Sequence, residues 1–158
     1  MKSLVIYDSQ YGNTERVARK VGEVLGAEAI SVSDAGPDSV VGVELLVLGS
    51  PTQGGRPTQK MQEFLKGLPS GALKGVRVAA FDTRIDSRAH GPFLRLLTGV
   101  IGFAAGRIAS SSEARGAIAA VKPEGFIVTG TEGPLEDGEE AHAVVWAESL
   151  TGLQGHPG

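Results

Sequence analysis

The chain has 158 residues, 41% of them hydrophobic and 21% charged, proportions of one ordinary globular domain and far from those of a disordered chain. A net charge of −3 leaves no basic footprint for nucleic acid, and the absence of cysteine excludes a disulfide framework, a cysteine-based zinc site and thiol catalysis. No apolar run is as long as a membrane span, and the start from Met1 lacks a signal-peptide pattern, so a soluble cytoplasmic protein is expected.

Taken in chain order, Leu4-Val5-Ile6-Tyr7 is an apolar run with the character of a buried strand. The loop Ser9-Gln10-Tyr11-Gly12-Asn13-Thr14 follows it, and Val17, Val21, Val24 and Leu25 then mark one helix face. Asn13 or Thr14 is the expected N-cap, and Glu15 favours the helix start. Ala27–Val32 reads as a weaker second strand. The crossover around Pro37 to Gly42 is too short and glycine-rich for a helix. Leu45–Leu48 is the third strand, and it opens into Gly49-Ser50-Pro51-Thr52-Gln53-Gly54-Gly55-Arg56-Pro57-Thr58, with Thr58 as a cap. Met61, Phe64, Leu65 and Leu68 form the next helix stripe, which Pro69 ends.

Val76–Phe81 is the fourth strand, with a third loop expected over Asp82 to Pro92. Leu97, Ile101, Ala104, Ala105 and Ile108 give a longer stripe interrupted by glycines. Phe126-Ile127-Val128 belongs to the last strand. Ala143, Ala147 and Leu150, beside Trp146, mark a closing helix that starts at Glu139-Glu140. Strands alternating with helices predict an α/β fold, a doubly wound five-stranded parallel sheet with helices on both faces. One domain over residues 1–153 and a short flexible tail over 154–158 are expected.

In such a sheet ligands sit beyond the carboxyl ends of the strands, which selects the three loops after the first, third and fourth strands. The first ends at a helix N-terminus, whose unpaired N–H groups and partial positive charge attract anions. Ser9, Asn13 and Thr14 add short donors and Gly12 lets the backbone turn closely. No lysine lies in the loop, and neither the triphosphate-binding pattern G-x-x-x-x-G-K-[ST] nor the dinucleotide pattern G-x-G-x-x-G is present. A single phosphate held by neutral donors fits best; plain helix capping is the simpler reading.

The segment Val5-Ile6-Tyr7-Asp8-Ser9-Gln10-Tyr11-Gly12-Asn13-Thr14-Glu15 resembles the first strand and FMN phosphate loop of the flavodoxin family, S-x-T-G-N-T-E, with Tyr11 replacing a threonine. The resemblance implies a flavodoxin-like fold and FMN as cofactor. Its phosphate would lie at Ser9, Gln10, Tyr11, Gly12, Asn13 and Thr14. The flavin ring would then meet Pro51, Thr52, Gln53 and Gly54 on one side and Asp82, Thr83 and Arg84 near its pyrimidine edge. The second loop has no aromatic to stack on the ring, and the tyrosine common in the third is missing, with His90, Phe93 or an arginine as substitutes. The implied function is electron transfer, with a redox partner protein or a small-molecule electron acceptor. Two alternatives are an FMN-dependent oxidoreductase acting on a quinone or porphyrin-type substrate, and a flavin-free interaction module that kept the fold.

Other features carry competing readings. Arg56, Arg84 and Arg88 could bring a guanidinium to the flavin and raise its potential, or pair with Asp82 and Asp86 at the surface. The apolar stretch from Pro92 to Phe103 suits the core, a dimer contact or a lip for a quinone-like substrate. Trp146 is expected to pack rather than to touch a cofactor. His90, His142 and His156 have no metal-ligand spacing. The acidic run from Glu132 to Glu140 suits a helix N-terminus or a docking rim for a basic redox partner.

Overall fold

The computed structural model describes residues 2–85 and 103–153. Expectations resting on Asp86, Arg88, His90, Phe93, Leu97, Ile101 and His156, on most of the 92–103 stretch, and on the 154–158 tail lie outside the described residues.

Among the described residues six strand segments form one sheet: β1 (Ser3–Tyr7), β2 (Glu28–Ser31), β3 (Leu45–Pro51), β4 (Arg77–Ile85), β5 (Ile118–Ala119) and β6 (Glu124–Val128). All pairings are parallel, in the order β2-β1-β3-β4-β5, and β6 pairs with β4 further along the same edge. The sheet therefore has the five expected positions, the fifth shared by two short segments. Ala120–Pro123 separates them; Pro123 has no N–H to donate to a ladder, which suits a break there.

Among the described residues four helices cover the faces: α1 (Asn13–Leu25), α2 (Gln59–Gly67), α3 (Ala104–Glu113) and α4 (Glu139–Thr151). Between β2 and β3 the chain makes only the 3₁₀ turns Val32–Asp34 and Pro37–Val40, as the composition of that crossover predicts. Strand residues alternate between two cores. Val5, Val47, Ala79 and Phe81 pack toward α1 and α4, whereas Leu4, Ile6, Leu48 and Val78 pack toward α2 and α3. Trp146 is buried edge-on against Phe81 and Phe126, with ring centroids 5.8 and 5.9 Å away, so it is a packing residue. Gly49 makes room for Phe81, because a Cβ there would collide with the ring. None of the described helices is long and apolar enough to cross a membrane.

Two strands outrun their hydrophobic runs. β3 continues through Gly49 and Ser50 to Pro51, and β4 continues through Asp82, Thr83 and Arg84 to Ile85. The expected loop start at Asp82 is thus corrected: Asp82, Thr83 and Arg84 are strand residues, paired in register with Gly125, Phe126 and Ile127. At the outer side of β6, the Ile127 N–H donates to Glu139 Oε2 at 2.6 Å, and the Ile127 carbonyl accepts the Glu136 N–H at 2.8 Å.

Candidate functional site

The order β2-β1-β3 places a switch point between β1 and β3, where the chain leaves in opposite directions on the two sides of the sheet. The loop after β1 opens into α1 there. Gly12 is the N-cap, with φ 91° and no capping side chain of its own, so the expectation of Asn13 or Thr14 as N-cap is corrected. The capping oxygen comes from Ser9, whose Oγ accepts the N–H groups of Gly12 (3.1 Å) and Glu15 (3.2 Å). With its lone pairs so used, the Ser9 hydroxyl proton is left to donate outward.

The residues passed over as caps fix the loop to its surroundings. Asn13 Nδ2 donates to the Glu132 carbonyl at 3.1 Å, and the Thr14 and Thr83 hydroxyls share a buried hydrogen bond of 2.8 Å. The backbone N–H groups of Gln10, Tyr11, Asn13 and Thr14 make no hydrogen bond to another described residue. A helix N-terminus with these free donors, a serine hydroxyl and no cation in the loop suits one phosphate held by neutral groups.

The loop after β3 is a tight turn. Gln53 and Arg56 exchange both backbone hydrogen bonds, at 2.8 and 3.1 Å. Gly54 (φ 58°) and Gly55 (φ 79°) between them take the left-handed conformations of a type I′ turn. Gln53 Nε2 donates to Gln10 Oε1 at 2.7 Å, linking the turn to the first loop. Thr58 caps α2 as expected, accepting the Met61 N–H at 3.2 Å.

Asp82 and Arg84 lie on one face of β4, two residues apart. The guanidinium grips the carboxylate at two points, Nε to Oδ1 at 2.7 Å and Nη2 to Oδ2 at 2.8 Å. It lies flat against Gly125, where a Cβ would collide with it, and stacks 3.6 Å from the centre of the Phe103 ring. Asp82 is fully buried and also accepts the Ala105 N–H at 2.9 Å at the start of α3. Burial pushes its carboxyl up from the usual range, against the Arg84 guanidinium, the Ala105 N–H and the Thr52 hydroxyl, which favour the charged form.

This pairing corrects the electrostatic expectation. Arg84 does pair with Asp82, but in a buried ion pair rather than at the surface, and the pair carries no net charge toward the cleft. Arg56 lines a different pocket. Neither of these two brings an unpaired guanidinium to the cleft, and Arg88 lies outside the described residues.

The three segments enclose a cleft of about 240 Å³. Ser9, Gln10, Tyr11, Asn13 and Thr14 line it from the first loop, Pro51, Thr52 and Gln53 from the second, and Thr83 and Arg84 from β4. Three expected residues do not line it. Gly12 supplies the turn, Gly54 sits at the exposed tip of the second turn, and Asp82 is buried beneath Arg84. Ile85, Val128 and Thr131 also line it and were not foreseen. Ile85 and Val128 are register partners at the ends of β4 and β6; reading β4 beyond Asp82 would have found Ile85. No sequence signal marks Thr131.

A doubly wound sheet with a neutral-donor phosphate loop at its switch point defines the flavodoxin-like class of α/β proteins. The sequence matches the model of the flavodoxin family over residues 5–83, and the chain belongs to that family. No curated protein matches the chain. Among solved structures, it is similar to a flavodoxin from the domain Archaea, at 21% identity and TM-score 0.77, covering 99% of this chain and 100% of that one. Flavodoxin 2 from Bacillus cereus, in its oxidised form, is similar at 19% identity and TM-score 0.75, covering 97% and 99%. Rubredoxin:oxygen oxidoreductase from Desulfovibrio gigas is similar at 15% identity and TM-score 0.71; the match spans 96% of this chain but 35% of that one. These structures share the fold.

FMN is the cofactor of the family, and the residues present fit it. The first loop offers neutral donors to a monophosphate. Pro51, Ile85 and Val128 give apolar surface for a ring system, and Tyr11 and Gln53 stand beside them.

Proposed function

We propose that this chain binds FMN in the cleft and passes electrons between redox partners in the cytoplasm, as a single domain over residues 1–153. The observation that carries the reading is the first loop: free N–H groups at a helix start, a Ser9 hydroxyl left to donate, and no cation, in one cleft with the 51–53 and 83–85 segments. FMN, when bound, supplies one- and two-electron redox chemistry. The chain's own residues bind and orient. Ser9 and the backbone from Gln10 to Thr14 hold the phosphate; Pro51, Thr52 and Gln53 meet one side of the ring, and Thr83 and Arg84 the other. The Asp82–Arg84 pair leaves that side neutral, and the Gln10–Gln53 hydrogen bond joins the phosphate end to the ring end.

The test is reconstitution with FMN. Quenching of flavin fluorescence at one equivalent, weakened in Ser9→Ala, supports the reading, as does reduction by a separate flavoprotein reductase. Direct turnover of NAD(P)H with a quinone would replace it with an oxidoreductase. Failure to take up FMN would replace it with the flavin-free module.

A further inference from the structure

A second pocket, of about 140 Å³, opens where the 53–57 loop meets α2 and α3. Four cations line it: Arg56 from the loop, Lys66 from α2, Arg107 from α3, and Arg115 just beyond α3. No aspartate or glutamate is among its described lining residues. The whole chain is net negative at −3, so this cluster is a local feature and not a sample of a basic surface.

Three of these cations are not neutralised by any described residue. Arg56, Lys66 and Arg115 form no ion pair with a described residue. Arg107 uses its Nε to hold the Gly55 carbonyl at 3.0 Å. Arg115 donates from Nη1 to the Ser111 carbonyl at 3.1 Å, while its Nε is buried and hydrogen-bonded to no described residue. A buried, unsatisfied donor on a charged group costs stability, and like charges around one small cavity repel. A bound anion relieves both.

We propose that this pocket binds a phosphate group, free or as a monoester, at a site separate from the first loop. Guanidinium groups match phosphate oxygens two at a time, and Lys66 adds a point charge. The volume suits one such group. The Ser111 side chain adds a neutral donor at the rim. The two sites differ in kind. The first loop presents neutral donors, so its affinity responds weakly to ionic strength, whereas this pocket relies on cations and its affinity falls with added salt. The site stands whether or not the cleft holds FMN.

The test is a titration of the uniformly ¹⁵N-labelled protein with inorganic phosphate, and separately with phenyl phosphate, at fixed ionic strength. We expect a saturable shift of the Arg115 Nε–H resonance together with the Lys66 and Ser111 amides, and none with chloride at the same ionic strength. Lys66→Gln, an exposed residue outside the cleft, is expected to weaken binding about tenfold, the scale of one lost charge-assisted contact. Arg115→Gln should do the same and remove the reporter resonance. Tighter binding of phenyl phosphate identifies a monoester as the preferred form, and equal or tighter binding of the inorganic ion identifies the free anion. Shifts confined to residues 9–14, shifts that do not saturate, or unchanged affinity in Lys66→Gln overturn the proposal.

Discussion

Thr14 and Thr83, 69 positions apart in the chain, share a hydroxyl–hydroxyl hydrogen bond of 2.8 Å sealed from solvent between the start of α1 and β4. It locks the β1–α1 loop to the strand that carries Arg84. Thr83→Val leaves the Thr14 hydroxyl buried without this partner, at a cost of about 1–3 kcal/mol. Urea unfolding should show that loss, and Thr14→Val combined with Thr83→Val should lose less than the two singles added. Strict additivity would show that the pair is not coupled.

The Asp82–Arg84 pair makes a sharper demand. Arg84→Met strips the guanidinium from a fully buried carboxylate, and the expected loss is about 3–5 kcal/mol. Replacing both residues, as Asp82→Leu with Arg84→Met, should recover part of that loss, because no unpaired charge is then left inside. A single Arg84→Met variant as stable as the parent would contradict a structural role for the pair.

Gly12 has φ 91°, and a Cβ placed there meets nothing within 4 Å. The penalty of Gly12→Ala is therefore conformational rather than steric, roughly 1–2 kcal/mol for a left-handed L-residue. Gly130 is also open to a Cβ but has no positive φ, so Gly130→Ala serves as a control with little effect. Thermal unfolding of the two variants checks this. Reconstitution adds a second reading, since only Gly12→Ala disturbs the loop proposed to seat the phosphate.

Burial raises the Tyr7 phenol above its usual range, with the Glu15 carboxylate adding to the shift and the Arg19 guanidinium opposing it. The chain has two tyrosines, so Tyr11→Phe isolates Tyr7 in an ultraviolet absorbance titration. Half-ionisation should fall above pH 10. In the window between the unfolded value, about 10, and the native one, the native state keeps a proton that the unfolded state has lost. Stability from this group is therefore full below about pH 10 and declines as pH rises through the native pKa. Half-ionisation at or below pH 10 would refute it.

The sheet was legible because its strands are apolar on both faces and its helices amphipathic, so Val5, Val47 and Phe81 could be assigned to a core from periodicity alone. The β1–α1 loop was legible for a different reason: its chemistry is local, carried by six consecutive residues at a strand–helix junction. What hydropathy could not show was β4 continuing through Asp82. A buried charge looks like a loop until its partner two residues along the same face is recognised, and that partner is held by Gly125 and Phe103, far away in sequence. The cap of α1 is hidden from the sequence for a similar reason. Asn13 and Thr14 have the residue types of caps, but the long-range partners Glu132 and Thr83 claim them, and Ser9 takes the task. The pocket of four cations draws on three separate segments, so no window of sequence displays it.

The outer side of β6 has one further consequence. Ile127 spends its N–H on Glu139 and its carbonyl on the Glu136 N–H, so this border of the sheet is already occupied by its own chain. Across Pro123, the other described segment on that border is the two-residue β5, and the opposite border is the four-residue β2, which begins at the charged Glu28. Short, covered or charged borders offer a foreign strand little backbone to zip onto. The same contacts that anchor the last helix thus guard the molecule against edge-to-edge aggregation.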